Sequence, residues 1–223
     1  MIPISDRPRA RRFPVVNYLL IIATVLVFLH EISLSTRALD RFLLEWGAVP
    51  ALISSYLSGT SHDPHVPLTL VTSVFLHAGW LHLLGNMLFL WVFGDNVEDS
   101  MGHLRYLVFY LICGAVATLT QMVIFPDSRV PLVGASGAVA GVLGAYLILH
   151  PTASVTVLMP VLLFLPIDIP AIIVLAVWFV TQFFNGLAAI TTASNATGGT
   201  GWWAHIGGFV LGAMLIFFFR RRR

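Results

Sequence analysis

Charge is scarce in this chain. Asp, Glu, Lys and Arg together make up 10% of its 223 residues, against roughly 25% in a soluble globular domain. Lysine is missing altogether, so every fixed positive charge is an arginine. The shortage excludes a water-solvated fold for most of the chain. No soluble domain, fixed-period repeat or nucleic-acid motif is visible, and no nucleic-acid partner is expected. The one cysteine, Cys113, lies in an apolar run, which excludes an internal disulfide and reads as a small buried apolar residue. What the chain has instead is 58% hydrophobic residues and a mean hydropathy of +0.90. The bilayer is its solvent.

The apolar runs divide the chain into six expected membrane spans, at about residues 14–33, 78–94, 104–125, 133–150, 170–188 and 202–219. The fold class is thus an all-α membrane protein, a six-helix bundle. A basic segment, residues 1–13, precedes the bundle at 14–219, and a basic tail, 220–223, follows it. The first run is long enough to span and five more follow, so it is read as a span rather than a signal peptide. Between the first two spans, Leu39, Phe42, Leu43 and Trp46 recur at helical spacing around Arg41 and Glu45. That amphipathic helix either lies at the membrane surface or packs on protein. Val66–Phe93 is uncharged throughout. As one helix it would reach ~42 Å, too long for a ~30 Å hydrocarbon core, so Pro67–Phe75 is assigned to an external loop. Asp95–His103 reads as a charged turn, Val155–Leu165 as an interfacial connection, Asp168 as an interfacial residue, and the uncharged 185–201 segment as a mobile loop.

Six spans put both termini on one side. With that side cytoplasmic, nine arginines lie inside and three (Arg37, Arg41, Arg129) outside, in accord with the positive-inside rule. The arginine clusters are topology signals and contacts for anionic lipid.

Polar side chains inside the membrane are costly, which makes them functional candidates. Here they gather at one depth. His82 and Asn86 lie one and two turns into the second span, Ser136 about one turn into the fourth, and His205 about one turn into the sixth. All three spans run from outside to inside, so the four side chains fall in a band below the outer face. Gly137, Gly141 and Gly144 form a small-residue face that Gly207, Gly208 and Gly212 can answer. Such packing would bring His205 within reach of Ser136, as a nucleophile and its base require. No carboxylate in the C-terminal half lies at that depth, so a Ser–His dyad is expected rather than a triad. His82 and Asn86, four residues apart on one helix face, can donate to a developing oxyanion together with free backbone N–H groups at the start of the fourth span. Asn86 can equally make an interhelical bond. His77 reads as a structural, hydrogen-bonded residue. A zinc site from His77, His82 and His205 lacks an Asp, Glu or Cys at that depth, so no metal is expected.

These residues resemble the rhomboid intramembrane serine proteases over residues 65–219. The motifs are His77-x4-His82-x3-Asn86, Gly94-x3-Glu98-x3-Gly102, Gly134-Ala135-Ser136-Gly137, and Ala204-His205 followed by Gly207, Gly208 and Gly212, with Trp46-Gly47-Ala48 and Pro50 in the first loop. The resemblance implies Ser136 as nucleophile and His205 as general base. It implies His82, Asn86 and the Ser136 N–H as oxyanion hole, and Glu98, with the packing glycines, as structural. Trp178 and Phe179 would stand on the helix that lines lateral substrate entry. It implies no cofactor, single-span membrane proteins as substrates and the lipid bilayer as surroundings; a bacterial inner membrane is the expected place of residence. Some members carry an aromatic four residues after the serine, stacked on the histidine. Ala140 stands there, so support for the His205 ring is sought in Trp202, Trp203 or Tyr146. Two other readings compete: a non-proteolytic rhomboid-like protein that escorts membrane clients, and a small transporter. The first usually lacks the serine or the histidine, and the second predicts broken helices at the bilayer midplane.

Overall fold

The computed structural model describes residues 1–159, 164–191 and 200–221. Nine α-helices and three strands are present among them: β1 (Ile2–Arg7), α1 (Val15–Ser33), α2 (Thr36–Trp46), α3 (Pro50–Leu57), α4 (His65–Thr72), α5 (Trp80–Met101), α6 (His103–Ile124), α7 (Ser136–Leu149), β2 (Ser154–Met159), β3 (Leu165–Pro170), α8 (Ala171–Thr191) and α9 (Trp202–Phe219). Helices α1, α6, α8 and α9 are long and apolar enough to cross a membrane. Helix α5 joins them if it is counted with the α4 segment, from which it bends by 81°. Helix α7 is apolar but only 14 residues long, about 21 Å at 1.5 Å per residue. All six expected spans thus coincide with helices, and the chain is an integral membrane protein with a helical bundle in contact with lipid. Exposed Leu19, Ile22, Val180, Phe184, Met214 and Phe218 show where the bilayer replaces protein as the packing partner.

The bundle is knit around α7, in which every residue from Gly137 to Tyr146 is buried. Helix α9 lies directly on it. A Cβ on Gly208 would overlap the Gly137 carbonyl oxygen, one on Gly212 the Gly141 carbonyl, and one on Gly144 the Phe209 carbonyl. Hydrocarbon gives no hydrophobic drive for helix pairing, so dispersion at such close approach is what holds the two together. Polar bonds tie the other helices. Asn17 on α1 donates to the Leu90 carbonyl on α5 (3.0 Å) and accepts from the Tyr106 hydroxyl on α6 (2.7 Å). Helix α1 begins after Pro14 with no side-chain cap of its own. Glu98 caps it from α5, accepting the N–H groups of Val16 (3.0 Å) and Asn17 (2.7 Å) and pairing with His103.

Three loop expectations are corrected. The charged turn at 95–103 is helical to Met101, because Asp95, Asn96 and Glu98 find partners within the protein, Asn96 on β1 and Glu98 on α1, rather than needing water. The chain reverses at Gly102 alone, where φ is +84°. The loop at 67–75 is also helical, α4 with a 3₁₀ turn at Ser73–Phe75. Of the connection expected at 155–165, residues 155–159 are strand within β2 and Leu165 opens β3, and the basic N-terminus supplies the neighbour of β2. β1, β2 and β3 form an antiparallel sheet in that order, with Ile2 opposite Leu158 and Ser154 opposite Pro170. Asp168 accepts from Thr156 across it (2.6 Å). Asp6 fixes the sheet to the bundle by accepting from Asn96 (2.8 Å) and the Tyr146 hydroxyl. The amphipathic segment 39–46 does form a helix, α2, with no fully buried residue. Residues 192–199 of the loop expected at 185–201 lie outside the described residues, as do Pro160, Arg222 and Arg223; residues 185–191 are the last turns of α8.

Gly212→Leu forces α7 and α9 apart. The expected result is a loss of about 3 kcal/mol, the upper range for overpacking, read as a lower thermal midpoint in detergent.

Candidate active site

Three helix starts converge on a cavity of about 650 Å³ whose lining includes His82, Asn86, Gly134, Ser136, Trp178 and His205. Ser136 is the first residue of α7, so its N–H belongs to the turn whose donors have no intrahelical acceptor. His82 and Asn86 stand in the first two turns of α5 and His205 in the first turn of α9. The shared depth read from the sequence corresponds to this meeting of N-terminal ends, where helix dipoles turn their positive poles toward one space.

Ser136 Oγ lies 2.8 Å from His205 Nε2, across 69 residues of sequence. The glycine contact between α7 and α9 sets this distance, since Gly137 follows Ser136 directly and Gly208, one turn beyond His205, packs against it. His205 is 8% exposed. Its ring is flanked by Trp202, edge-on at 6.0 Å, and by Trp178, tilted by 32° at 6.0 Å. Of the three supports suggested by sequence, Trp202 is therefore present, whereas Trp203 and Tyr146 are engaged elsewhere. The Trp203 indole donates to the Gly186 carbonyl (3.1 Å) and the Tyr146 hydroxyl reaches Asp6. Phe179, beside Trp178, stacks on Phe209 with ring centroids 4.8 Å apart.

The approach to Ser136 is made by Gly134, whose φ of +127° suits glycine and whose missing side chain admits His82. A Cβ there would come within 2.6 Å of the His82 ring and 3.7 Å of Asn86 Nδ2. Asn86 donates one amide hydrogen to His77 Nε2 (2.9 Å), in the connection just before α5 rather than on another helix, which leaves its second N–H for the cavity. His77 is 2% exposed, stacks edge-on against His82 at 5.0 Å, and donates its backbone N–H to both Glu31 carboxylate oxygens (3.2 Å each).

Three residues here went unnoticed in the sequence. Glu31, near the end of α1, corrects the expectation that no acid lies at this depth: a long connection separates it from His77, and only folding brings the two together. Gln121 on α6 accepts from the N–H groups of Trp203 (3.1 Å) and Ala204 (3.3 Å), capping α9 from another helix just before His205. Gln182 on α8 lies 2.8 Å from His205 Nδ1, so the ring has a neutral partner where a triad would place an acid. An isolated amide in an apolar run carries no spacing signal that separates such roles from general interhelical bonding.

Gln121→Leu leaves two N–H donors unpaired. It should cost about 1–3 kcal/mol and speed hydrogen exchange at residues 203 and 204 well beyond that at mid-α9.

The model of the rhomboid domain matches residues 64–222, well over half of the chain. Rhomboid-like protein 11, chloroplastic, of Arabidopsis thaliana is 44% identical over 71 residues, 32% of this chain and 25% of its own length. The rhomboid protein YdcA of Bacillus subtilis (strain 168) is 30% identical over 137 residues, 61% of this chain and 63% of its own. Rhomboid protease GluP of the same organism is 42% identical over 78 residues, 35% of this chain and 15% of its own. The matched segments thus span less than two thirds of each of these relatives. Sequence motif, helical bundle and family match agree, and the chain belongs to the rhomboid family.

Proposed function

We propose that this chain is an intramembrane serine endopeptidase in which Ser136 attacks and His205 relays the proton. The observation that carries the reading is the 2.8 Å contact between Ser136 Oγ and His205 Nε2 at a cavity bordered by Gly134 and Asn86. Relatives named as rhomboid proteases support it.

Ser136 Oγ bonds to the scissile carbonyl carbon while its proton passes to His205 Nε2. The oxygen that becomes negative is received by the Ser136 N–H, His82 and the free N–H of Asn86, at the positive end of α7. The proton then moves from His205 to the leaving amine, and an acyl-enzyme remains. Water, deprotonated by His205, releases the acid and restores the serine. No step calls for a metal or cofactor.

The substrate class is the single-span membrane protein. A hydrogen-bonded helix hides its carbonyls, so the substrate's upper turn must unwind before attack. Trp178 and Phe179 on α8 border the entry side, between α5 and α8. Helix α7 is shorter than the ~30 Å hydrocarbon core, which favours a Ser136 below the membrane boundary and a cut close to it. The domain runs from 14 to 219, His77, Glu98 and the packing glycines hold its shape, and the arginine distribution favours both termini cytoplasmic; the membrane proposed is a bacterial inner membrane.

Purified wild type should cut a transmembrane substrate in detergent, and Ser136→Ala should reduce cleavage to background; equal cleavage rejects the serine's role. A fluorophosphonate probe should label Ser136, and failure to label favours the client-binding alternative. Gly134→Ala, which strains a positive φ and displaces His82, should lower kcat roughly a hundredfold, as loss of one oxyanion donor does, and lower the thermal midpoint as well.

A further inference from the structure

We propose that Gln182 is a positioning residue that fixes the proton of His205 on Nδ1, so that the Ser136–His205 pair is competent only while α8 is seated against α9. The proposal deepens the peptidase reading and rests on it.

The argument starts from the Gln182 amide. Its Nε2 lies 3.3 Å from the Trp178 carbonyl and 3.4 Å from Thr181 Oγ1. The carbonyl can only accept. The Thr181 hydroxyl has given its own proton to the same carbonyl (2.6 Å), so it too accepts. The end of the amide beside them must therefore be the NH2, and Oε1 must face His205. That oxygen, 2.8 Å from Nδ1, can only accept, so Nδ1 carries the hydrogen. A neutral imidazole has one N–H. Nε2 is then the bare nitrogen, and the Ser136 hydroxyl donates to it. The amide thereby selects the tautomer that can take the serine's proton. It does so without a carboxylate, whose charge would be costly at this depth.

The acceptor stands on a helix held along one face. Trp178, Gln182 and Gly186 fall at i, i+4 and i+8 on α8 and point inward, whereas Ile172, Ile173, Val180 and Phe184 are exposed. Besides ring contacts, two hydrogen bonds among the described residues join α8 to α9: Gln182 with His205, and the Gly186 carbonyl with the Trp203 indole. Once α8 lifts, Nδ1 loses its acceptor. The ring is then free to turn about its Cβ–Cγ bond or to move its hydrogen to Nε2, and in either case the serine keeps its proton. A helix that must shift to admit substrate would thus have to reseat before the chemistry starts.

The test uses the full chain in detergent, with fluorophosphonate labelling of Ser136 and with kcat and KM on a transmembrane substrate. Gln182→Leu, nearly isosteric, should slow labelling and kcat about tenfold, the scale of one lost buried hydrogen bond, with KM essentially unchanged and the thermal midpoint lowered modestly by the unpaired Nδ1–H. Gln182→Glu restores an acceptor. It should recover most of the rate and move the acid limb of the rate–pH profile to higher pH by about one unit, because a carboxylate favours the imidazolium beside it. A residue serving only to pack α8 would leave that limb in place. Trp203→Phe removes the other α8–α9 bond and should slow labelling about threefold in wild type yet hardly at all in the Gln182→Leu background, since the coupling passes through Gln182. Wild-type rates in Gln182→Leu, an unmoved acid limb in Gln182→Glu, or additive slowing in the double variant overturns the proposal. If Gln182→Leu does not fold, the pH profile of Gln182→Glu decides. Absence of Ser136 labelling in wild type would instead overturn the peptidase reading itself.

Discussion

The rest of the molecule depends on two backbones touching. Helices α7 and α9 meet where Gly137, Gly141 and Gly144 face Gly208, Phe209 and Gly212 with no side chain between the opposing carbonyls. In hydrocarbon no water is released when helices associate, so contact area has to come from proximity. That proximity also has a chemical product. It brings a hydroxyl and an imidazole, each on the first turn of its helix, to bonding distance. Packing and site geometry are one constraint, and neither can vary without the other.

Around that pair the structure spends its polar groups on orientation. Gln121 caps the start of α9, Gln182 takes the ring hydrogen of His205, and Glu31 holds the backbone of His77, whose ring in turn steadies Asn86. Each of these groups but His77, which stands in the connection before α5, comes from a helix other than the segment it steadies. Such cross-bracing suits a low-dielectric interior, where an unmet donor is costly and no water stands ready to satisfy it.

How much of this was legible in the sequence differs by residue. Ser136 and His205 were, because glycine spacing and equal depth are both one-dimensional signals. The six bundle helices were, because uncharged runs of membrane length are hard to misread. Gln182 and Gln121 were not, since a single amide in an apolar helix looks the same whether it caps, orients or merely pairs. Glu31 was hidden by the long connection to His77. The sheet was hidden by brevity and distance: β1 has six residues, Pro3 lies within it and Pro8 follows it, and its partner lies beyond the far end of α7. Helix α5 outran its expected end because the charges at Asp95 and Glu98 mark water only when nothing else binds them, and here the protein does.

The sheet has a consequence for the order in which the chain can be completed. Ile2 pairs with Leu158, and Asp6 rests on Tyr146. The first strand to leave the ribosome must wait, unpaired, through four later bundle helices before its neighbour exists. Contacts of such large sequence separation close late. β1 is therefore fastened late, a clasp drawn shut only after α1, α5, α6 and α7 have been made.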